Sequence, residues 1–384
     1  MNYLFTEEQQ MIKELCRQIA VEKIKPVAAE YDEKEMFPWD IVKVLADADI
    51  FGIYIDQKYG GMGGGILEMA IATEELSWGC GGIALAFAAT GLGTFPIILF
   101  GNEAQKEKYL SMVAKGTVAA FCLTEAEAGS DAGGIKTTAI KDGDHYILNG
   151  TKQWITNGGE ADIYTVVAMT NKSKGARGAS AFIVEKGTPG LSFSKKEKKL
   201  GIRGSSTTEV IFEDCKIHKD QLLDKEGMGF IVAMKTFDNS RPGVAAQAVG
   251  IAQRAVDEAL AYTHTRHQFG KPVSSFQGVQ FMLADMATQV EAARGLVYNA
   301  AKMVDAGEKD IAGVSAMCKL FASDVAMKVT TDAVQLFGGY GYMREYPVEK
   351  LMRDAKITQI YEGTNQIQRS VIAANMIKSL AKSK

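Results

Sequence analysis

The chain has 384 residues, 47% hydrophobic and 23% charged, which is too long for one compact core and ordinary for a globular protein of two or three domains. Lys and Arg number 43 against 46 acidic residues, so no strong field recruits nucleic acid or an anionic membrane. Five scattered cysteines without a C-x-x-C, and four histidines without ligand spacing, argue against a disulfide frame or a metal centre and for a reducing compartment.

The first ten residues have neither the basic-then-apolar order of a signal peptide nor the Arg-rich character of a transit peptide, so a cytoplasmic location is expected. Residues 1–118 read as a helical domain. Thr6 and Gln9 match a capping box ahead of the apolar stripe Met11, Ile12, Leu15, Ile19 and Val21. Pro38 starts a second helix carrying Ile41, Val42, Val44 and Leu45. The cluster Gly60-Gly-Met-Gly-Gly-Gly65 invites a phosphate-loop reading, but no G-K-[ST] follows, and a flexible connection is expected instead. Helical patterns resume at 66–78 and 103–114. No charge occurs between Glu75 and Glu103, yet Gly79, Gly81, Gly82, Gly91, Gly93 and Pro96 break that run, so a buried segment is expected and no membrane insertion.

From residue 119 to 226 the texture is that of a mainly antiparallel β domain. Short apolar runs begin at Tyr146, Tyr164, Ala181 and Glu209, and Lys141-Asp-Gly-Asp144 and Asn149-Gly150 are hairpin signals. The run Lys195–Lys199 reads as a solvated loop. Residues 227–384 then hold apolar positions at helical spacing over 244–264, 279–306, 312–337 and 366–381, a pattern for a four-helix bundle, with Pro242 where a helix begins or kinks. The fold class is α+β: a helical N-terminal domain, an antiparallel β domain and a C-terminal bundle.

Five stretches carry chemistry. Leu123-Thr-Glu-Ala-Glu-Ala-Gly-Ser-Asp131 offers hydroxyls and backbone N–H groups to a phosphate or a heterocycle edge. Trp154-Ile-Thr-Asn157 sets a large aromatic two residues before a hydroxyl. Arg266-His-Gln-Phe-Gly270, with Gln277, puts a cation, an acceptor and an aromatic at a helix end, and Gln335–Tyr342 follows another long helix. Last, Ile360-Tyr-Glu-Gly-Thr-Asn365 sets Glu362 on a short turn between two helical patterns, with Thr364 or Asn365 able to cap the second. An acidic residue before a helix is favoured by the dipole alone, but a carboxylate on so short a turn also suits a proton-abstracting base.

With these five motifs in this order, essentially the whole chain resembles the acyl-CoA dehydrogenase family. The resemblance implies a tightly bound FAD where the β domain meets the bundle. It places Phe121, Leu123, Thr124, Ser130, Trp154, Ile155 and Thr156 along the flavin, Arg266 and Phe269 on the pyrophosphate and adenine side, and Gln277 among the cofactor-binding residues. Gln335, Gly338 and Gly339 are assigned to the FAD of a neighbouring subunit, which implies a homo-oligomer, a tetramer by analogy. Thr364 and Gln366 also match FAD-contacting positions. Ser130, Asp238 and Arg241 match positions that hold the CoA portion, and Tyr361 and Gly363 border the thioester. Glu362 corresponds to the catalytic base. Relatives that take the base from the helix near Asp238 have it where this chain has Ser240, which cannot serve. Ala126 and His218 stand where the family commonly has proline, a matter of loop rigidity rather than chemistry.

The implied reaction is α,β-dehydrogenation of an acyl-CoA, with the enolate oxygen held by the Glu362 backbone N–H and a flavin hydroxyl. Two effects oppose each other at Glu362: the following helix N-terminus lowers its pKa, and desolvation raises it, with desolvation expected to win when substrate binds. No arginine lies between Trp78 and Asn102, which disfavours a dicarboxylyl substrate, and small residues over 84–93 shape the pocket floor. A short or medium straight chain is expected, with an alicyclic acyl group as the alternative. Electrons are expected to pass to an electron-transferring flavoprotein; an oxidase using O2 lacks its usual long C-terminal extension here. A non-catalytic flavin- or nucleic-acid-binding relative is disfavoured by the near-neutral charge and intact Glu362.

Overall fold

The computed structural model describes residues 3–382 and shows helices, then a sheet, then helices. The first group comprises α1 (Glu7–Ile19), α2 (Ala28–Lys34), α3 (Trp39–Asp47), α4 (Ile66–Gly79), α5 (Gly81–Phe100) and α6 (Glu103–Ala114). Thr6 and Gln9 form the expected reciprocal cap at α1. The uncharged stretch is α5, long and apolar enough to cross a membrane but mostly buried inside the protein. Its small residues let it lie against the sheet: a Cβ on Gly93 would come within 2.7 Å of the Ala120 nitrogen, and Gly93 O accepts the Thr165 hydroxyl at 2.9 Å.

The sheet has strands β1 (Ala119–Cys122), β2 (Thr138–Asp142), β3 (His145–Thr156), β4 (Ile163–Met169), β5 (Ala179–Glu185), β6 (Leu191–Phe193), β7 (Thr207–His218) and β8 (Leu222–Leu223). Their order is β6-β7-β3-β2-β4-β5-β8, with β1 added parallel to β4 and the other long pairings antiparallel. Gly143 turns β2 into β3 as expected. Asn149-Gly150 does not make a hairpin: it lies inside β3, where the register against β7 slips and Gly150 takes φ +142°. Asparagine and glycine there serve a β-bulge, which needs the same backbone freedom as a turn. The run 195–199 is not wholly solvated either. Lys199 tucks in, donates to Ser205 O at 2.8 Å, and burial pushes its pKa down to about 8.

After the sheet come α7 (Gly229–Thr265), α8 (Gln277–Asp305), α9 (Ala312–Phe337), α10 (Val348–Ile357) and α11 (Asn365–Lys382). α7 is the hub, packed on α4, α5, α8 and α9. It begins at Gly229, not at Val244, so Pro242 sits in its middle. The proline lacks the N–H that would bond Asp238 O. That carbonyl instead accepts the Ser315 hydroxyl of α9 at 2.7 Å, so the interruption is satisfied and the helix runs on.

The cluster Gly60–Gly65 is closely packed rather than a flexible connection. A Cβ on Gly61 would lie 2.0 Å from Ile55 O, and one on Gly64 would lie 2.4 Å from Ile53 O. The first N–H groups of α4, at Ile66 and Leu67, donate to the Asp305 carboxylate at 2.7 and 2.9 Å. We expect Gly61→Ala to destabilise the protein by about 1–3 kcal/mol, since backbone must move to admit a methyl group. A urea melt monitored by far-ultraviolet circular dichroism checks this, and an unchanged midpoint would show that the turn yields.

Candidate functional site

A cavity of about 120 Å³ opens where the sheet, α5 and α7 meet the turn between α10 and α11. β1 and the loop after it contribute Phe121, Leu123 and Thr124, and the end of β3 contributes Trp154, Ile155 and Thr156. Leu85, Ala88, Ala89 and Leu92 enter from α5, Met69 from α4, and Tyr361 and Glu362 from the turn. Phe237, Ser240, Val244 and Gln247, spaced three or four apart, are one face of α7 and complete the wall.

Trp154, near the end of β3, has a left-handed conformation, φ +55°, with 56% of its surface exposed. A large aromatic at positive φ is a strained arrangement that persists only where its surroundings over-determine it. Two residues before it, a buried ion pair anchors the strand. Lys152 is fully buried, and its ammonium donates to Glu125 Oε1 at 2.7 Å and to Leu123 O at 3.0 Å. Glu125 also accepts the N–H groups of Lys136 and Thr137 at 2.6 and 3.0 Å. Burial opposes ionisation of Glu125, but the Lys152 ammonium together with the hydrogen bonds from Thr137 and Lys136 outweighs it and holds the carboxyl below its ordinary value. The two stretches that meet the cavity are thereby tied together. An exposed indole lining the same cavity as Thr124 and Thr156 suits a planar heterocycle with polar edges, as FAD has.

Glu362 has φ +51° and Gly363 φ +91°, two consecutive left-handed residues. The Thr364 hydroxyl accepts the Ile367 N–H at 3.3 Å and so caps α11. Gln368 Nε2 donates to Glu362 O at 3.1 Å and to Gly363 O at 2.8 Å. Arg241 Nε lies 3.5 Å from Glu362 O. The Glu362 carboxylate accepts the Ser240 hydroxyl. Burial pushes its pKa up to about 7, against the opposing pull of that hydroxyl, Arg241 and Lys319. Desolvation thus prevails over all three. The Tyr361 hydroxyl donates to Gln247, whose amide donates to Gly81 O at 2.9 Å.

A second cavity of about 500 Å³ shares no lining residue with the first. Arg266, Gln335, Gly338 and Gly339 line it, with the Arg266 guanidinium 5.5 Å from the centre of the Tyr340 ring. The sequence reading gave only the last three to a neighbouring subunit; here all four share one cavity of one chain. Several sequence-predicted residues line neither cavity. Ser130 and Gln366 are exposed, as are Gln277 and Phe269, the last at 93%. Asp238 and Arg241 are buried, 3.6 Å apart, with Arg241 turned toward the Glu362 carbonyl. Gly363 and Thr364 support the turn from outside the cavity. Ser240, dismissed as a base, proves to be the hydrogen-bond partner of Glu362. Gln247 and Lys319 were missed, though Gln247 shares the helical spacing of Ser240.

Profiles of three domains match consecutive parts of the chain: "Acyl-CoA dehydrogenase, N-terminal domain" over 6–117, "middle domain" over 120–215 and "C-terminal domain" over 227–377. The short-chain-specific acyl-CoA dehydrogenase of Clostridium acetobutylicum is 49% identical over 380 residues, covering 98% of this chain and all of that protein. The butyryl-CoA dehydrogenase structure from Megasphaera elsdenii is similar at a TM-score of 0.96 and 48% identity, covering 98% of this chain and 100% of that one. A chain in a structure described as the electron transferring flavoprotein of Acidaminococcus fermentans is 51% identical at a TM-score of 0.96, covering 98% and 99%.

Lys152→Met leaves the Glu125 carboxylate buried without its cation, and we expect a loss of about 3–5 kcal/mol in chemical denaturation. A loss under about 1 kcal/mol would show that the pair is not what holds the two stretches together.

Proposed function

Because the chain belongs to the acyl-CoA dehydrogenase family, whose members are FAD-dependent oxidoreductases, we propose that Glu362 is the base that removes the α-proton of a short straight-chain acyl-CoA on its way to the 2-enoyl-CoA. The observation that carries this reading is the Glu362 carboxyl on the cavity wall, raised to about 7 by burial. A base with a pKa near the working pH is ionised often enough to act and basic enough to take a proton. Its N–H makes no hydrogen bond among the described residues and so is free to meet a thioester oxygen, a contact of the oxyanion-hole kind. FAD, when bound, would supply the acceptor for the β-hydride, and Phe121, Leu123, Thr124, Trp154, Ile155 and Thr156 are the residues that would hold its ring system.

The chain's own residues supply position and exclusion of water. Ser240 orients the carboxylate, and Tyr361 is fixed by Gln247 at the place where the thioester enters. Met69, Leu85 and Leu92 are among the apolar lining residues, and Glu362 is the one charged residue among the described residues lining the cavity, which suits an uncharged acyl group.

Electron transfer to an electron-transferring flavoprotein belongs to this reading, supported by the 51% identity to a chain in such a protein's structure. So does a homotetramer. The cavity of Arg266, Gln335, Gly338 and Gly339 is separate from that of Glu362, as expected if it serves the FAD of a neighbouring subunit. The exposed Phe269 and the apolar Met376, Ile377 and Leu380 on α11 also favour further chains. A cytoplasmic site of action agrees with five buried, unpaired cysteines.

Glu362→Gln is expected to keep FAD and to lose about 10²–10⁴-fold in the rate of flavin bleaching by butyryl-CoA in stopped flow; bleaching at the normal rate rules Glu362 out. Since only the carboxylate can take a proton and its pKa lies at about 7, the wild-type rate should rise with pH through about 7 and level off above it. A rate already flat from pH 5.5 upward would contradict the burial effect.

A further inference from the structure

We propose that Lys319 is a positioning residue for Glu362: from inside α9 its ammonium fixes the backbone of the left-handed turn and supplies the buried positive charge that favours the ionised base. The assignment deepens the reading of Glu362 as the base and stands only with it.

Lys319 has no exposed surface. Its Nζ donates to Gly363 O at 2.8 Å and to Asn365 Oδ1 at 2.9 Å, the carbonyl just after the base and the side chain that begins α11. Asn365 is buried and held in turn, its Nδ2 donating to Ser323 Oγ at 2.9 Å and to Asp324 Oδ1 at 2.7 Å. One cation therefore bridges the middle of α9 to both sides of the turn. A side chain at positive φ reverts to ordinary backbone unless contacts forbid it. Gln368 and Arg241 reach Glu362 O, and Gln368 shares Gly363 O with Lys319, but only Lys319 joins the turn to a different long helix through two acceptors.

Burying a lysine is costly, and an apolar side chain of similar volume often serves a packed interior as well or better. A role in packing alone does not explain an ammonium here. The charged surroundings give it one. Arg241 and Asp238 face the site from α7, Cys318 and Asp324 accompany Lys319 on α9, and Asp354 of α10 acts on Tyr361. Arg241 is partly neutralised by Asp238, 3.6 Å away. Lys319 is pushed down to about 7 by burial while its attraction to Glu362 pulls it up. Glu362 lies at about 7 as well, so the two titrate over the same range as a coupled pair. Removing the ammonium leaves burial of the carboxylate less opposed.

The test uses the FAD-loaded enzyme with butyryl-CoA as probe. Lys319→Met keeps the stem and removes the charge. We expect FAD content and enoyl-CoA binding to be kept, and the acid limb of flavin reduction to move up by about one pH unit. Lys319→Arg restores the charge and should bring the limb back toward the wild-type position. Lys319→Gln serves if the methionine variant does not fold, with the same upward shift expected. A second readout needs no turnover. A carboxyl whose folded pKa is raised adds stability below its unfolded value that is lost as pH rises through the folded one. The gain in melting temperature from Glu362→Gln should thus grow as pH rises above the ordinary carboxylate range and level off near pH 7 in the wild type, and level off about one unit higher, at a larger gain, in the Lys319→Met background. A limb and a melting difference that both stay put, even with a lower melting temperature throughout, overturn the proposal and leave Lys319 structural. Normal bleaching by Glu362→Gln alone overturns the base assignment, and the proposal falls with it by a different signature.

Discussion

A carboxylate has to be kept partly out of water, next to an apolar cleft, on backbone that most residues avoid. The turn at Glu362 and Gly363 meets that demand through a concentration of donors: Gln368 and Arg241 on the Glu362 carbonyl, Gln368 and Lys319 on that of Gly363. These side chains come from α7, α9 and α11, so the turn is fixed only when the bundle is assembled. The strain of two left-handed residues is supported by tertiary contacts rather than by the local sequence. The electrostatic state of the base depends on the same contacts, because the elements that hold the turn also exclude water from it.

α7 links this turn to the rest of the molecule. One face lines the cavity with Phe237, Ser240, Val244 and Gln247; others pack on α4, α5, α8 and α9. Its interruption at Pro242 lies next to Arg241 and Ser240, and the carbonyl it frees bonds to α9 close to Lys319 in sequence. A helix broken at that point would lose both the hydrogen-bond partner of the base and the alignment with α9. On the opposite wall the buried Lys152–Glu125 pair ties the loop after β1 to the end of β3. Both walls thus rely on a lysine removed from water. In each case the ammonium bonds backbone carbonyl oxygen as well as a side chain, which fixes main chain and not merely charge.

The order of helices, sheet and helices, and the spans of α6 and α9, were legible in the sequence because period and caps are local properties. So were Trp154 and Glu362, large or charged residues flanked by unusual neighbours. Where the reading went wrong, a local signal had two physical meanings. Asn149-Gly150 offers backbone freedom that a hairpin or a bulge can use, and pairing with β7 chose the bulge. Pro242 costs a helix one bond wherever it stands, and only the Ser315 hydroxyl across the bundle made an interior place tolerable. Gly60–Gly65 permits flexibility or close approach, and Ile53 and Ile55 settled it as close approach.

The sequence by itself determined which groups are available: one carboxylate on a short interhelical turn, hydroxyls and an indole at the sheet, and no charge along α5. Tertiary structure alone decided what those groups experience. Ser240 lies 122 residues before Glu362 and Lys319 lies 43 before it, and neither separation has a periodicity to mark it. The pKa of a carboxyl depends on the solvent and charge within a few ångströms, and those neighbours are set by packing between helices, not by order along the chain.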